Sequence, residues 1–285
     1  MNDTAAWKVN FIGDPLLNAF PLPDSVVGLN QASGALPEGA YTTFRTYQRA
    51  WVPKLDEHFR RLQETALLTL SKPVPIDEAV LRKALALAVQ QYPHDEARIR
   101  LTMDLTKQVG DVYISLEPLK TPLPEAYERG VQTLTRKMQR SNPKAKLTAF
   151  LHTAQQTAQA SEQKVEEILM VDPQGFILEG LSSNFYSIQK GEIWTAEEGV
   201  LSGITRLMVF EAAGNLGVNV HLEPISIQQI AQAEEAFITS ASRAILPVVQ
   251  VDQHCIGDGR PGKLTKALMA AFQAVLKESL EQLFD

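Results

Sequence analysis

The sequence predicts a mixed fold, α/β or α+β, built as two domains. Short β-branched and aromatic runs alternate with helical patterns along the whole chain. At 285 residues it is long enough to bury two cores. The stretch "KTPLPEAY" at 120–127 sets two prolines between structured regions, which marks a linker. The expected organisation is an N-terminal domain over 1–119, a linker over 120–127 and a C-terminal domain over 128–285.

In the first domain, "YTTFRTY" (41–47) reads as a strand. "KLDEHFRRLQETALLTL" (54–70) reads as a helix, because Leu55, Phe59, Leu62 and Ala66 share one face. By that phase His58 is expected on the exposed side. "IDEAVLRKALALAVQQY" (76–92) is a second helix with acids in its first turn. "EARIRLTMDL" (96–105) and "DVYISLEPL" (111–119) read as strands, joined by a hairpin turn at "TKQVG".

The second domain opens on the basic segment "RKMQRSNPKAKLTAF" and continues as an Ala/Gln-rich helix from Leu147 to about Ala160. "EEILMVD", "GFIL", "GEIWTAE" and "EEAFITSA" are further strands. "TRLMVFEAAGNLG" (205–217) is a helix closed by glycines, and "KLTKALMAAFQAVLKESLEQLF" (263–284) is expected as one C-terminal helix.

A net charge of −6 argues against nonspecific binding to nucleic acid or to an anionic membrane. It leaves room for a local positive pocket that binds a small anion. One cysteine, Cys255, cannot form an internal disulfide or a metal cluster, and a reducing, cytoplasmic setting fits it. The segment "MNDTAAWKVNFIGDPLL" has no basic stretch followed by an apolar one, so no secretory signal is expected there. No apolar run approaches the roughly 20 residues of a membrane span.

Five places can carry chemistry. "GVLSGITRLMVFEAA" (199–213) sets small residues before a helix start near Ile204, where free N–H groups and the helix dipole favour an anion. The same pattern describes an ordinary capped helix. "EAFITSASRAILPV" (235–248) runs a strand into Thr239, Ser240 and Ser242, hydroxyls suited to phosphate or to a capped turn. In "DEHFRRL", Arg60 and Arg61 point about 100° apart, so one of them at most aims into a given site. Lys144 and Lys146 stand at the mouth of a helix, where burial makes an amine nucleophilic. Glu179 ends the apolar strand of "GFILEGLSSNFYSI", facing either solvent or a buried positive group. The histidines have no metal-type spacing, and GxSxG, GxGxxG and P-loop patterns are missing.

The order of these features, with "EGLSSNFY", "LSGITR" and "TSASRAILPV", resembles the class IV aminotransferases. These are the fold-type IV pyridoxal-phosphate enzymes, including branched-chain and D-amino acid aminotransferases and aminodeoxychorismate lyases. "EHFRRL" and "IGDGRPGKLTKAL" also look like family segments, so the resemblance runs from about residue 25 to the C-terminus. It implies a small N-terminal α/β domain, a larger C-terminal α/β domain with a barrel-like sheet, pyridoxal 5′-phosphate as cofactor, and a homodimer. The arginine before leucine in "EHFRRL" matches the family's phosphate-binding arginine, which selects Arg61. Lys146 resembles the lysine that forms the Schiff base, with Lys144 as the alternative because spacing around the nearby proline is ambiguous. Glu179 matches the acid at the pyridine nitrogen, and Leu201 the residue packed on the ring. Ile204 and Thr205 match the residues whose amides hold the phosphate. Ser240 and Ala241 fall in a second phosphate-contacting turn. Arg45, Arg100 and Tyr41 resemble positions near the substrate pocket, although a strand arginine is equally a structural ion pair.

There are departures from the family pattern. Ala241 stands where a threonine is frequent, so Ser242 is an alternative hydroxyl. Leu151 stands where branched-chain enzymes often carry a tyrosine, as in the D-amino acid enzymes. "AYTTFR" looks more like the lyase version. The implied activity is transfer of an amino group between a small, branched-chain or aliphatic amino acid and a 2-keto acid. The alternative is an aminodeoxychorismate lyase releasing pyruvate and 4-aminobenzoate.

Overall fold

The computed structural model describes residues 3–284. In chain order the elements are β1 (Ala5–Val9), β2 (Leu17–Ala19), α1 (Leu29–Ala35), β3 (Gly39–Arg45), β4 (Trp51–Pro53), α2 (Leu55–Leu70), α3 (Glu78–Gln91), β5 (Ala97–Asp104), β6 (Val112–Pro118) and α4 (Pro124–Arg129). They continue as β7 (Val131–Lys137), α5 (Ala149–Gln159), β8 (Glu167–Val171), β9 (Ile177–Gly180), β10 (Asn184–Gln189), β11 (Glu192–Trp194), α6 (Ile204–Asn215), β12 (Val220–His221), β13 (Glu235–Ser240), β14 (Ala244–Val251), β15 (His254–Cys255), α7 (Lys263–Glu278) and β16 (Leu280–Gln282). Packing divides the chain into two units. One comprises Met1–Lys120, Ala145–Gln156 and Ser279–Asp285, and the other Thr121–Lys144 and Thr157–Glu278. Within the stretch 120–127 the chain enters α4, and Tyr127 there donates its hydroxyl to Arg243 O at 3.0 Å.

The first unit is built on an antiparallel sheet in the order β2-β1-β6-β5-β3. Alternation along its strands sorts the residues between two faces. Ala40 and Phe44 of β3, Ile99 and Leu101 of β5, and Ile114 and Leu116 of β6 join one core with Leu55, Phe59, Leu62 and Ala66 of α2 and with Leu81 and Leu85 of α3. The other face carries Tyr41, Thr43 and Arg45, and across from them Thr102, Arg100 and Arg98. Asp104 ends β5 by accepting the amides of Thr106, Lys107 and Gln108 at 2.7–2.9 Å, which shapes the hairpin turn.

Two expectations fail. His58 is buried, 4% exposed. It lies three residues after Leu55 and four before Leu62, so it borders the apolar stripe and is not opposite it. The C-terminal segment is not helical throughout. α7 stops at Glu278, and β16 pairs antiparallel with β4. There Glu281 accepts Leu55 N at 2.6 Å and Arg82 Nη1 at 2.7 Å, closing the start of α2. Amphipathic spacing alone cannot foresee that a distant strand offers these partners.

In the second unit, β10, β13, β14, β7, β8 and β9 follow one another through paired edges, and β9 also pairs with β10. Six strands therefore close on themselves as a barrel. The pair that closes it is Glu179 opposite Asn184. Leu169, Val171, Ile177, Phe185, Ile238, Leu246 and Val248 form its buried core. β7 pairs parallel with both β8 and β14. Its basic tail disguises it in the sequence, where a strand is not expected.

Candidate functional site

In the first unit, the segment around Lys146 is fastened by its backbone. Lys146 O accepts Tyr41 N at 2.8 Å, and Thr148 N donates to Gly39 O at 2.9 Å. Lys146 N donates to Thr65 Oγ1 at 3.3 Å, and Thr148 Oγ1 accepts Gly39 N at 2.9 Å. The lysine is half-buried, and its Nζ stands 4.8 Å from the Tyr41 ring centroid, within cation–π range. Lys144 is exposed. On α2, His58, Arg61 and Thr65 occupy the flank that meets this segment, since residues three to four apart share a face. Arg60 points the other way, pairing with Glu57 and Glu64.

The electrostatics agree with that grouping. Burial holds the His58 imidazole neutral, well below the usual histidine range, and the charges of Arg61 and Lys146 push the same way. Its Nδ1 is 2.6 Å from Thr42 Oγ1 and its ring lies 4.5 Å from that of Phe44. Burial pushes the Arg61 guanidinium down to about 10, against the pull of Glu64 and Tyr41, so it stays charged at neutral pH.

The polar sheet face separates the two strand arginines. Arg45 is tied to Glu96 at 2.6 Å and lies 4.3 Å from the Tyr47 ring. Arg100 is 1% exposed, and its acceptors are Leu29 O, Ser33 Oγ, Asn30 Oδ1 and Thr43 Oγ1, at 2.7–3.2 Å. None of the four is a carboxylate. Its Cζ lies 5.0 Å from the Tyr41 ring, and burial pushes it down to about 10.

In the second unit, Glu179 is 2% exposed. Arg140 Nε donates to its Oε1 at 2.7 Å and Asn184 Nδ2 to its Oε2 at 3.1 Å. Asn184 Nδ2 also donates to Leu201 O at 2.8 Å. One amide thus joins the acid to the residues preceding α6. Gly203, the N-cap of α6, contributes no side-chain cap. A Cβ there would sit 2.2 Å from Asn184 Oδ1, so only glycine fits. Ile204 is buried and Thr205 half-buried on the first turn. At the end of β13, Ser240 Oγ is buried with no hydrogen-bond partner among the described residues, and Ala241 follows it, half-buried. Helix-start amides and a buried, unsatisfied hydroxyl suit a phosphate dianion.

Glu167 explains the serines of "EGLSSN". Its Oε2 accepts Ser182 Oγ at 2.6 Å, Ser183 Oγ at 2.9 Å and Arg243 Nη2 at 3.1 Å. Arg140, Asn184, His58 and Thr65 are the contacts that reasoning from sequence missed. Arg140 is one of several cations in a basic run, and only its burial singles it out. Among the described residues no group of three or more His, Cys, Asp or Glu is placed to hold a metal. No described helix is long and apolar enough to cross a membrane.

Comparison with known proteins gives a family match. The model for amino-transferase class IV matches residues 39–251. A Methanocaldococcus jannaschii protein, assigned provisionally as a branched-chain-amino-acid aminotransferase, is 27% identical over 256 residues, covering 84% of this chain and 87% of that protein. The D-alanine aminotransferase of Bacillus licheniformis is 28% identical over 256 residues, covering 85% and 89%. A branched-chain amino acid aminotransferase from T.th., crystallised with pyridoxamine 5′-phosphate, superposes with a TM-score of 0.79 at 20% identity, covering 98% of each chain.

Proposed function

This chain belongs to the class IV aminotransferases, a pyridoxal-phosphate-dependent family, and we propose that it moves an amino group between a branched-chain or other small aliphatic amino acid and a 2-keto acid. The relatives named for branched-chain substrates support that substrate class. The observation that carries the reading is the buried Glu179 carboxylate, fixed by Arg140 and by the same Asn184 amide that holds Leu201. When bound, pyridoxal phosphate supplies an electron-accepting ring and the carbon that carries the amino group.

The residues of this chain then have distinct tasks. Lys146 is the proposed anchor of the cofactor, and its Nζ, once neutral, takes the substrate α-proton. Glu179 would favour a proton on the ring nitrogen. Leu201 would pack on the ring. By the family resemblance, Arg61 in the first unit, and the amides of Ile204 and Thr205 with the Ser240–Ala241 turn in the second, would each be contacts for the phosphate. On the polar sheet face, Arg100 and Tyr41 remain the proposed partners of a substrate carboxylate. Arg45, tied to Glu96, fits better as a structural ion pair.

We further place the protein in the cytoplasm as a homodimer, in keeping with a single exposed thiol and with the family resemblance. Sedimentation at several concentrations tests the dimer. For the activity, the purified protein is given leucine or D-alanine with 2-oxoglutarate, and separately aminodeoxychorismate. Glutamate formed from leucine is the expected result. Pyruvate released from aminodeoxychorismate without any keto acid, and no amino transfer, would instead make it a lyase.

A further inference from the structure

The motif "GITR" ends in an arginine to which the proposed reaction gives no task. Arg206 is 2% exposed, in the first turn of α6. Its Nη1 donates to Ala196 O at 2.7 Å and to Thr195 Oγ1 at 2.9 Å, and its Nη2 to Glu197 Oε2 at 2.7 Å. Thr195 Oγ1 passes the connection on, donating to Phe185 O at 2.8 Å on β10. The guanidinium carbon also lies 4.8 Å from the Phe210 ring, one turn further along α6.

Burying a cation is unfavourable unless hydrogen bonds and an opposite charge compensate it. Here the compensation comes from residues 195–197, which have no regular secondary structure. A carbonyl and a hydroxyl share Nη1 while a carboxylate takes Nη2, which a planar fork satisfies and a single ammonium does not. The start of α6 is therefore held at two points. Asn184 fixes Leu201, three residues before the helix, and Arg206 fixes its first turn to 195–197.

We propose that Arg206 is a positioning residue for the cofactor phosphate. It orients the first turn of α6 so that the amides of Ile204 and Thr205 are aimed before the phosphate arrives. This rests on the reading that those amides bind the phosphate. Preorganised donors bind an anion more tightly than donors that must be ordered on binding. The effect should therefore fall on the phosphate and spare the rest of the cofactor.

The test compares the affinity of the full chain for pyridoxal phosphate and for phosphate-free pyridoxal, each read by absorbance. Arg206→Met should lower the preference for the phosphorylated form by about tenfold or more, with pyridoxal affinity nearly unchanged. Arg206→Lys should recover only part of it. An unchanged preference, or an equal fall in both affinities, overturns the proposal. Should Arg206→Met fail to fold, Glu197→Ala and Thr195→Val each remove one arm of the same fork and are read the same way. The Glu197 side chain is 53% exposed, so its substitution disturbs packing little. A wild-type protein without any preference for the phosphate would sink the phosphate reading of α6 itself.

Discussion

Replacing Arg140 by leucine removes the guanidinium from a pair whose side chains are only 5% and 2% exposed. Glu179 would then keep the hydrogen bond from Asn184 but lose the opposite charge at 2.7 Å. Breaking a buried pair by deleting one partner costs about 3–5 kcal/mol, because the remaining charge is left in a poor solvent. The carboxylate can escape part of that cost by taking up a proton. A protonated Glu179 no longer favours a proton on the ring nitrogen, so activity should fall along with stability. The assay is urea unfolding of wild type, Arg140→Leu, Glu179→Gln and the double variant. With a denaturant slope of about 3 kcal/mol per molar, Arg140→Leu should lower the midpoint by on the order of 1 M. The double variant should be more stable than the sum of the two single losses requires, since the two side chains interact directly. Strict additivity, or a loss below about 1 kcal/mol for Arg140→Leu, would mean that water screens the pair. The account of Glu179 as a fixed, buried carboxylate would then be wrong.

Three further outcomes follow from the same geometry. Lys146→Ala should lower turnover by about 10²–10⁴-fold and abolish the visible absorption of the bound cofactor, whereas Lys144→Ala, at an exposed position, should leave both unchanged; the reverse result would exchange the two lysines. Burial and the charges of Arg61 and Lys146 hold His58 neutral in the folded state, while in the unfolded chain it titrates near about 6.5. Its contribution to stability is therefore complete above that pH and is lost on acidification, with a slope of up to about 1.4 kcal/mol per pH unit. Unfolding at pH 7.5 and 5.5 should show a smaller difference in His58→Gln than in wild type. Ser240→Ala should weaken pyridoxal phosphate binding by about 10–100-fold, the worth of a hydrogen bond to a charged group. It should leave the unfolding of the cofactor-free chain unchanged, because the hydroxyl has no partner among the described residues.

The sequence by itself determined the mixed fold and the approximate extent of α2 and α3. α2 and α3 are legible because their apolar residues recur on one face, and β5 and β6 because β-branched and apolar residues alternate in short runs. It also determined the family and the short motifs, since "EGLSSN" and "GITR" set an acid and a helix start at a fixed separation. Only the tertiary structure decided which of several similar side chains is buried, and against what. Arg140 is one cation in a basic run until its Nε meets Glu179. His58 borders an apolar stripe that helical spacing places but whose width it does not define. Arg206 is the last letter of a motif until residues 195–197 fold over it. The end of the C-terminal helix has the same cause: β4 offers backbone partners to Leu280–Gln282 that nothing local announces. Periodicity records which face of an element meets apolar neighbours. The partner of a buried charge comes from another element, as Arg140 reaches Glu179 from 39 positions away, so it is specified only when those elements pack together.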